Sequence, residues 1–116
     1  MFFFELEPGV AQQRQARLAV AGDADVEEGG QRQAGSWTAA DENRLRALVD
    51  HAHKLGYWIR FYTLDGFAPA ANRGWSASYN FGSPEAVLPR WKAALAAGVN
   101  FIATDQYEDL SKLLQQ

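Results

Sequence analysis

The side chains best suited to acid–base chemistry in this chain are its two histidines, His51 and His53. They lie two apart in a stretch that reads as helix, so at 3.6 residues per turn their directions differ by about 200° and the rings cannot converge on one substrate atom. Solvent-facing or packing roles are expected, favoured by the nearby helix carboxyl end, which suits a partly charged imidazole. Arg60 is more informative, because a guanidinium inside an aromatic strand must reach an anion or water. A planar fork suits two oxygens of a phosphate group; an internal ion pair with Asp105 or Glu27 is the alternative. Asp105 closes a short apolar run, where it can orient Arg60, bind a hydroxyl or an ion, or cap a helix starting near Gln106. Glu27 and Glu28 precede two glycines and offer either a rim carboxylate or solvated loop charges. Trp75 and Tyr79 lie in a long loop, as a cover over a headgroup or as packing for the loop itself. Nothing resembles a phosphate-binding glycine loop, a serine elbow or a zinc signature.

These residues need elements to position them. Thr38, followed by Ala39-Ala40-Asp41, reads as a capping-box-like helix start, and Leu45, Leu48, Val49 and Ala52 recur at helical spacing up to a stop at Gly56. Tyr57 to Leu64 is dense in aromatic and β-branched residues and reads as a strand buried on both faces. Alternation puts Arg60 with Tyr62 and Leu64 on one face, opposite Ile59, Phe61 and Thr63. Phe67 to Gly82 is a loop long enough for function. Ser83-Pro84-Glu85 starts a second helix with Val87, Leu88, Trp91, Ala94 and Leu95 as its buried stripe, a kink or tight first turn at Pro89, and a stop at Gly98. Val99 to Thr104 is a second strand, and Asp109 to Leu114 adds one or two helical turns. Before residue 36 only Phe2 to Leu6 reads as a strand, with Val10 to Val20 as a weak helix. Trp37, Trp58 and Trp91 read as core. Helices and strands alternate with short joints, which implies parallel strands linked by right-handed crossovers and an α/β fold class.

Composition narrows the function. A length of 116 residues, 47% apolar and 22% charged, fits one globular domain or part of one. Fourteen acidic against eleven basic residues leave a net charge of −3, with no block of five like charges, so nucleic acid is not an expected partner. No apolar run reaches the roughly 18 to 20 residues of a transmembrane segment. The absence of cysteine excludes disulfides and thiolate metal sites.

Three segments in order carry a resemblance to a known family. Ala52-His53 and Gly56, then Tyr62-Thr63-Leu64-Asp65, then Ala97-Gly98-Val99-Asn100 with Thr104-Asp105 are similar to the closing strand–helix units of the phospholipase C-like phosphodiesterases. That superfamily contains the phosphatidylinositol-specific phospholipases C and the glycerophosphodiester phosphodiesterases. Glu27 to Gln31 and Gly74-Trp75 to Ser83 look more like its bacterial phospholipase C-like branch, and Tyr62 and Asp65 stand where tryptophan and asparagine are usual. The resemblance covers roughly residues 25 to 114, with residues 1–24 an atypical amino-terminal segment.

It implies the carboxyl-terminal portion of a (β/α)8 TIM-type barrel, with outer helices and chemistry at the carboxyl ends of the strands. A complete barrel takes about 250 residues, so the amino-terminal half of the barrel would be missing. The family's histidine pair and most of its metal ligands lie on early strands that this chain does not contain. The parent enzyme would cleave a phosphoric diester in a phospholipid or glycerophosphodiester with a divalent cation, calcium or magnesium. This chain would contribute Arg60, Tyr62, Asp105, Glu27 and Trp75 to the substrate side, with no catalytic residue, no metal ligand and no activity when isolated. The alternative is a small non-enzymatic α/β binding or interaction module that completes its sheet by self-association as a homo-oligomer.

Overall fold

The structure, a computed structural model, describes residues 2–5, 17–62, 64–67 and 80–116. Strand β1 is Phe2–Glu5 and β2 is Leu18–Gly22; two single 3-10 turns follow at Asp23–Asp25 and Gln31–Gln33. Then come α1 (Ala39–Lys54), β3 (Trp58–Tyr62), α2 (Pro84–Ala97), β4 (Phe101–Thr104) and α3 (Tyr107–Leu114).

Local chemistry accounts for the helix ends. The Thr38 hydroxyl accepts the Asp41 N–H at 3.1 Å and the Asp41 carboxylate accepts the Thr38 N–H at 2.9 Å, so two donors that the first turn leaves free are satisfied reciprocally. The Ser83 hydroxyl accepts the Ala86 N–H at 3.1 Å at the start of α2, and Gly98 ends that helix in the left-handed region at φ 83°. Pro89 lies inside α2, which runs unbroken from Pro84 to Ala97.

The sheet order is β1-β4-β3-β2, with β2, β3 and β4 parallel and β1 antiparallel to β4. Leu18 to Gly22 pair with Trp58 to Tyr62, and Arg60 and Phe61 pair with Phe101 and Ile102. Ala21, Ile59, Phe61 and Ile102 point to one face, where they form a single core with Leu45 and Val49 of α1 and Val87, Trp91 and Ala94 of α2. Both crossover helices therefore cover the same side of the sheet.

Four sequence expectations change. Leu18 to Val20 belong to a strand, not a weak helix, because this short Leu-Ala-Val-Ala-Gly run becomes extended only by pairing with β3; residues 10–16 lie outside the described set. Strand β3 is buried on one face only: Ile59 and Phe61 are buried, while Trp58, Arg60 and Tyr62 are half-buried. On the same open face, Leu18 and Val20 of β2 are 46% and 50% exposed. Leu88 is exposed rather than part of the α2 stripe, and Arg90 and Ala93 turn inward instead. Trp91 is buried, whereas Trp37 and Trp58 are half-buried. No helix among the described residues is long and apolar enough to cross a membrane.

Candidate functional site

The carboxyl ends of β2, β3 and β4 lie side by side, and each carries acidic residues at or just beyond its end: Asp23 and Glu27, Asp65, and Asp105. Asp65 is 1% exposed, and its Oδ1 accepts the Thr104 hydroxyl at 2.7 Å and the Asp105 N–H at 2.6 Å. Burial pushes the Asp65 carboxyl up to about 6; bonds from Thr104 and the Asp105 backbone oppose the rise, and the adjacent Asp105 carboxyl adds to it. The Thr104 hydroxyl also lies 2.8 Å from the Leu64 carbonyl, which accepts the Trp91 indole N–H at 3.0 Å, and it accepts the Gln106 N–H at 3.0 Å.

Two side-chain amides hold Gly66 and Phe67, just beyond β3. Gln106 accepts the Gly66 N–H and donates to the Gly66 carbonyl at 3.2 Å. Asn80 accepts the Phe67 N–H at 2.8 Å and donates to the Phe67 carbonyl at 2.9 Å. Each amide does what a neighbouring strand backbone would do, so the rim is fixed on both sides of Asp65.

The second acidic pair sits behind the rim. Arg90 of α2 donates through Nε and Nη2 to the two Glu27 oxygens at 2.9 and 2.6 Å. Two further donors go to the Ala86 and Gly35 carbonyls at 2.6 and 2.7 Å, and the rings of Phe81 and Trp37 lie 4.3 and 5.6 Å from its guanidinium carbon. Asp23, 3% exposed, meets no hydrogen-bond donor at either carboxyl oxygen among the described residues. Burial, followed by the contact with Glu27, pushes Asp23 up to about 8, with Arg90 pulling the other way.

Arg60 and Tyr62 occupy the open sheet face, with the guanidinium carbon 5.7 Å from the Tyr62 ring centroid. Tyr62 lies across the end of β2, where a Cβ on Gly22 would sit 3.4 Å from the ring. The structure thus joins Arg60 to Tyr62 and Asp105 to Asp65, and places Glu27 apart from both, in the grip of Arg90 rather than Arg60. Asp105 does not cap α3, whose cap residue is Gln106. Trp75 and Tyr79 lie outside the described residues. His51 is exposed; His53, also exposed, places Nε2 2.9 Å from Asn100 Oδ1.

Among the described residues no group of three or more histidine, cysteine or acidic side chains is placed to hold a metal ion. Both Glu27 oxygens are engaged by Arg90, and Asp65 with Asp105 supplies two carboxylates where calcium or magnesium takes about six oxygens, so neither acidic pair by itself fits a divalent-cation centre. Sequence reading overlooked Arg90, Asn100, Gln106 and Asp23. Arg90 and Asn100 did leave a signal, as polar residues set among apolar neighbours in Val87 to Ala94 and Val99 to Ala103. No family model, curated protein or solved structure matches the chain.

Proposed function

We propose that this chain is the carboxyl-terminal sector of a phospholipase C-like phosphodiesterase barrel. In this reading its open sheet face forms part of the wall against which a phosphodiester of a phospholipid or glycerophosphodiester lies. One observation carries the reading. Strands β2, β3 and β4 follow one another in order, in parallel, with both crossover helices on one face and Arg60 and Tyr62 on the other. A doubly wound sheet reverses its strand order and covers both faces with helices, whereas a barrel sector progresses in one direction and keeps one face for the interior. Strand β1, antiparallel at the β4 edge, takes the position where such a barrel would carry its next parallel strand.

The residues assigned to the wall are Arg60, Tyr62 and Asp105. Arg60 supplies a fork for two nonbridging oxygens, Tyr62 a hydroxyl and a ring surface, and Asp105 an acceptor at the rim. Glu27, buried and paired with Arg90, supports the rim instead of facing substrate. The chain alone turns over no phosphodiester, with or without calcium or magnesium. The test is titration with soluble glycerophosphoinositol, followed by NMR at the Arg60 side chain and at the amides of residues 60–62 and 102–106. Saturable shifts that vanish in Arg60→Ala are expected. The absence of shifts in the wild type, or hydrolysis by the purified chain, would overturn the assignment.

The exposed Leu18 and Val20 favour a second reading, a binding module that completes its sheet by self-association. Sedimentation separates the two: a tight dimer that Val20→Lys dissociates supports the module, and a monomer excludes it.

A further inference from the structure

Behind the rim, four polar side chains tie three elements together. The turn after β2 brings Asp23 and Glu27 to Arg90 of α2, and Arg90 holds the Gly35 carbonyl further along the same segment. Phe81 packs on the guanidinium and donates its N–H to the Asp65 carbonyl at 2.8 Å, so the two described ends of the β3–α2 connection meet at the same point. Arg44 of α1 donates to the Val26 carbonyl at 2.7 Å and to Asp41. The turn after β2 and the described ends of the β3–α2 connection therefore meet at one buried cluster.

Among the described residues the charged groups around Asp23 are Glu27 in its own turn, Asp41 and Arg44 on α1, and Arg90 on α2. Arg90 directs its N–H groups to Glu27 and to the Ala86 and Gly35 carbonyls, and Arg44 bonds to Asp41 and Val26. Among the described residues no cation bonds to Asp23, whose two oxygens are buried without a donor. A carboxylate in that position beside Glu27 is costly, whereas a carboxylic acid there supplies its own donor and bonds to Glu27.

We propose that the proton on Asp23 is a latch: while it is bound, Asp23 donates to Glu27 and the segment 23–37 stays clasped to α2, and when it leaves, the two carboxylates repel and the segment opens. The proton passes to solvent and no other group changes charge. A solvent-open cleft of about 490 Å³, walled by Gly35, Ser36, Trp37, Pro89 and Arg90, lies beside the clasp. The open segment binds its proton far more weakly than the closed one, so opening increases as pH rises from the ordinary carboxyl range and levels off near pH 8.

The experiment is amide hydrogen exchange of the 116-residue chain, corrected for the chemical exchange rate, with Asp23→Asn as the comparison. Asparagine offers Glu27 the donor that the protonated acid offers, and it cannot titrate. Protection of the amides in 23–37 is expected to fall at least about tenfold between pH 5.5 and pH 7.5 in the wild type and to stay level in the variant. A wild-type change under about twofold, or the same slope in Asp23→Asn, overturns the latch. If the variant does not fold, the Asp23 carboxyl carbon is titrated by NMR in the wild type: a midpoint above 7 supports the latch, and one near 4 sinks it.

Discussion

Asn100 and Ile59 exchange two hydrogen bonds: the Asn100 N–H donates to the Ile59 carbonyl at 3.0 Å, and the Ile59 N–H donates to Asn100 Oδ1 at 2.7 Å. The side chain thus extends the β3–β4 ladder by one bond at the start of β4. The same Oδ1 faces His53 Nε2, and because an amide oxygen only accepts, that nitrogen carries the proton. Asn100→Ala leaves the buried Ile59 N–H without a partner and is expected to cost about 1–3 kcal/mol in urea unfolding. Asn100→Asp keeps the oxygen and should cost less. Equal losses would show that the oxygen is not what matters.

Arg90 and Glu27 form a buried pair whose two halves are unequal to the whole. Arg90→Met leaves the Glu27 carboxylate buried and uncompensated, with an expected loss of about 3–5 kcal/mol, a large part of the total stability of a domain this size. Adding Glu27→Gln removes that charge and should restore much of the loss. Additive effects of the two substitutions in a double-mutant cycle would contradict this.

These two relationships mark what could be read in the sequence. Thr38, Ser83, Gly56 and Gly98 announce their helix ends because capping is local, fixed by a few residues of spacing. Alternation in β3 separates Ile59 and Phe61 from Arg60 and Tyr62 for the same reason. Strand β2 was hidden because Leu18 to Gly22 has two alanines and no aromatic residue, and its extended form comes from a partner about forty residues away. Arg90 was hidden for a related reason: its place in the apolar stripe makes sense only with Glu27, 63 residues earlier, in position. Leu88 was misplaced because Arg90 takes the inward direction that its own spacing suggested.

Asp65 gives the rim its own pH dependence. Its carboxyl, pushed up to about 6 by burial and by Asp105, binds a proton more tightly folded than unfolded. This contribution to stability is therefore full at low pH, falls as pH rises from about 4 to about 6, and is flat beyond. Asp65→Asn keeps an oxygen for Thr104 and the Asp105 N–H, and offers Asp105 a donor at every pH. Urea midpoints measured from pH 4.5 to 7.5 should show the variant gaining on the wild type up to pH 6 and holding that gain. Parallel curves would mean that Asp65 titrates normally.

Gly66 sets how closely α2 approaches the end of β3. A Cβ there would collide with the Ser83 carbonyl oxygen and lie 2.7 Å from two Val87 atoms. The Gln106 amide holds the Gly66 backbone on its other side, so the residue cannot back away. Gly66→Ala is expected to cost about 1–3 kcal/mol, from overpacking. Trimming Val87 as well, in Gly66→Ala with Val87→Ala, should recover little, because the Ser83 carbonyl belongs to the backbone that caps α2 and cannot move without breaking the Ser83 bond to the Ala86 N–H. Thermal melts of the single and double variants check this. Full recovery in the double variant would assign the close approach to Val87 alone.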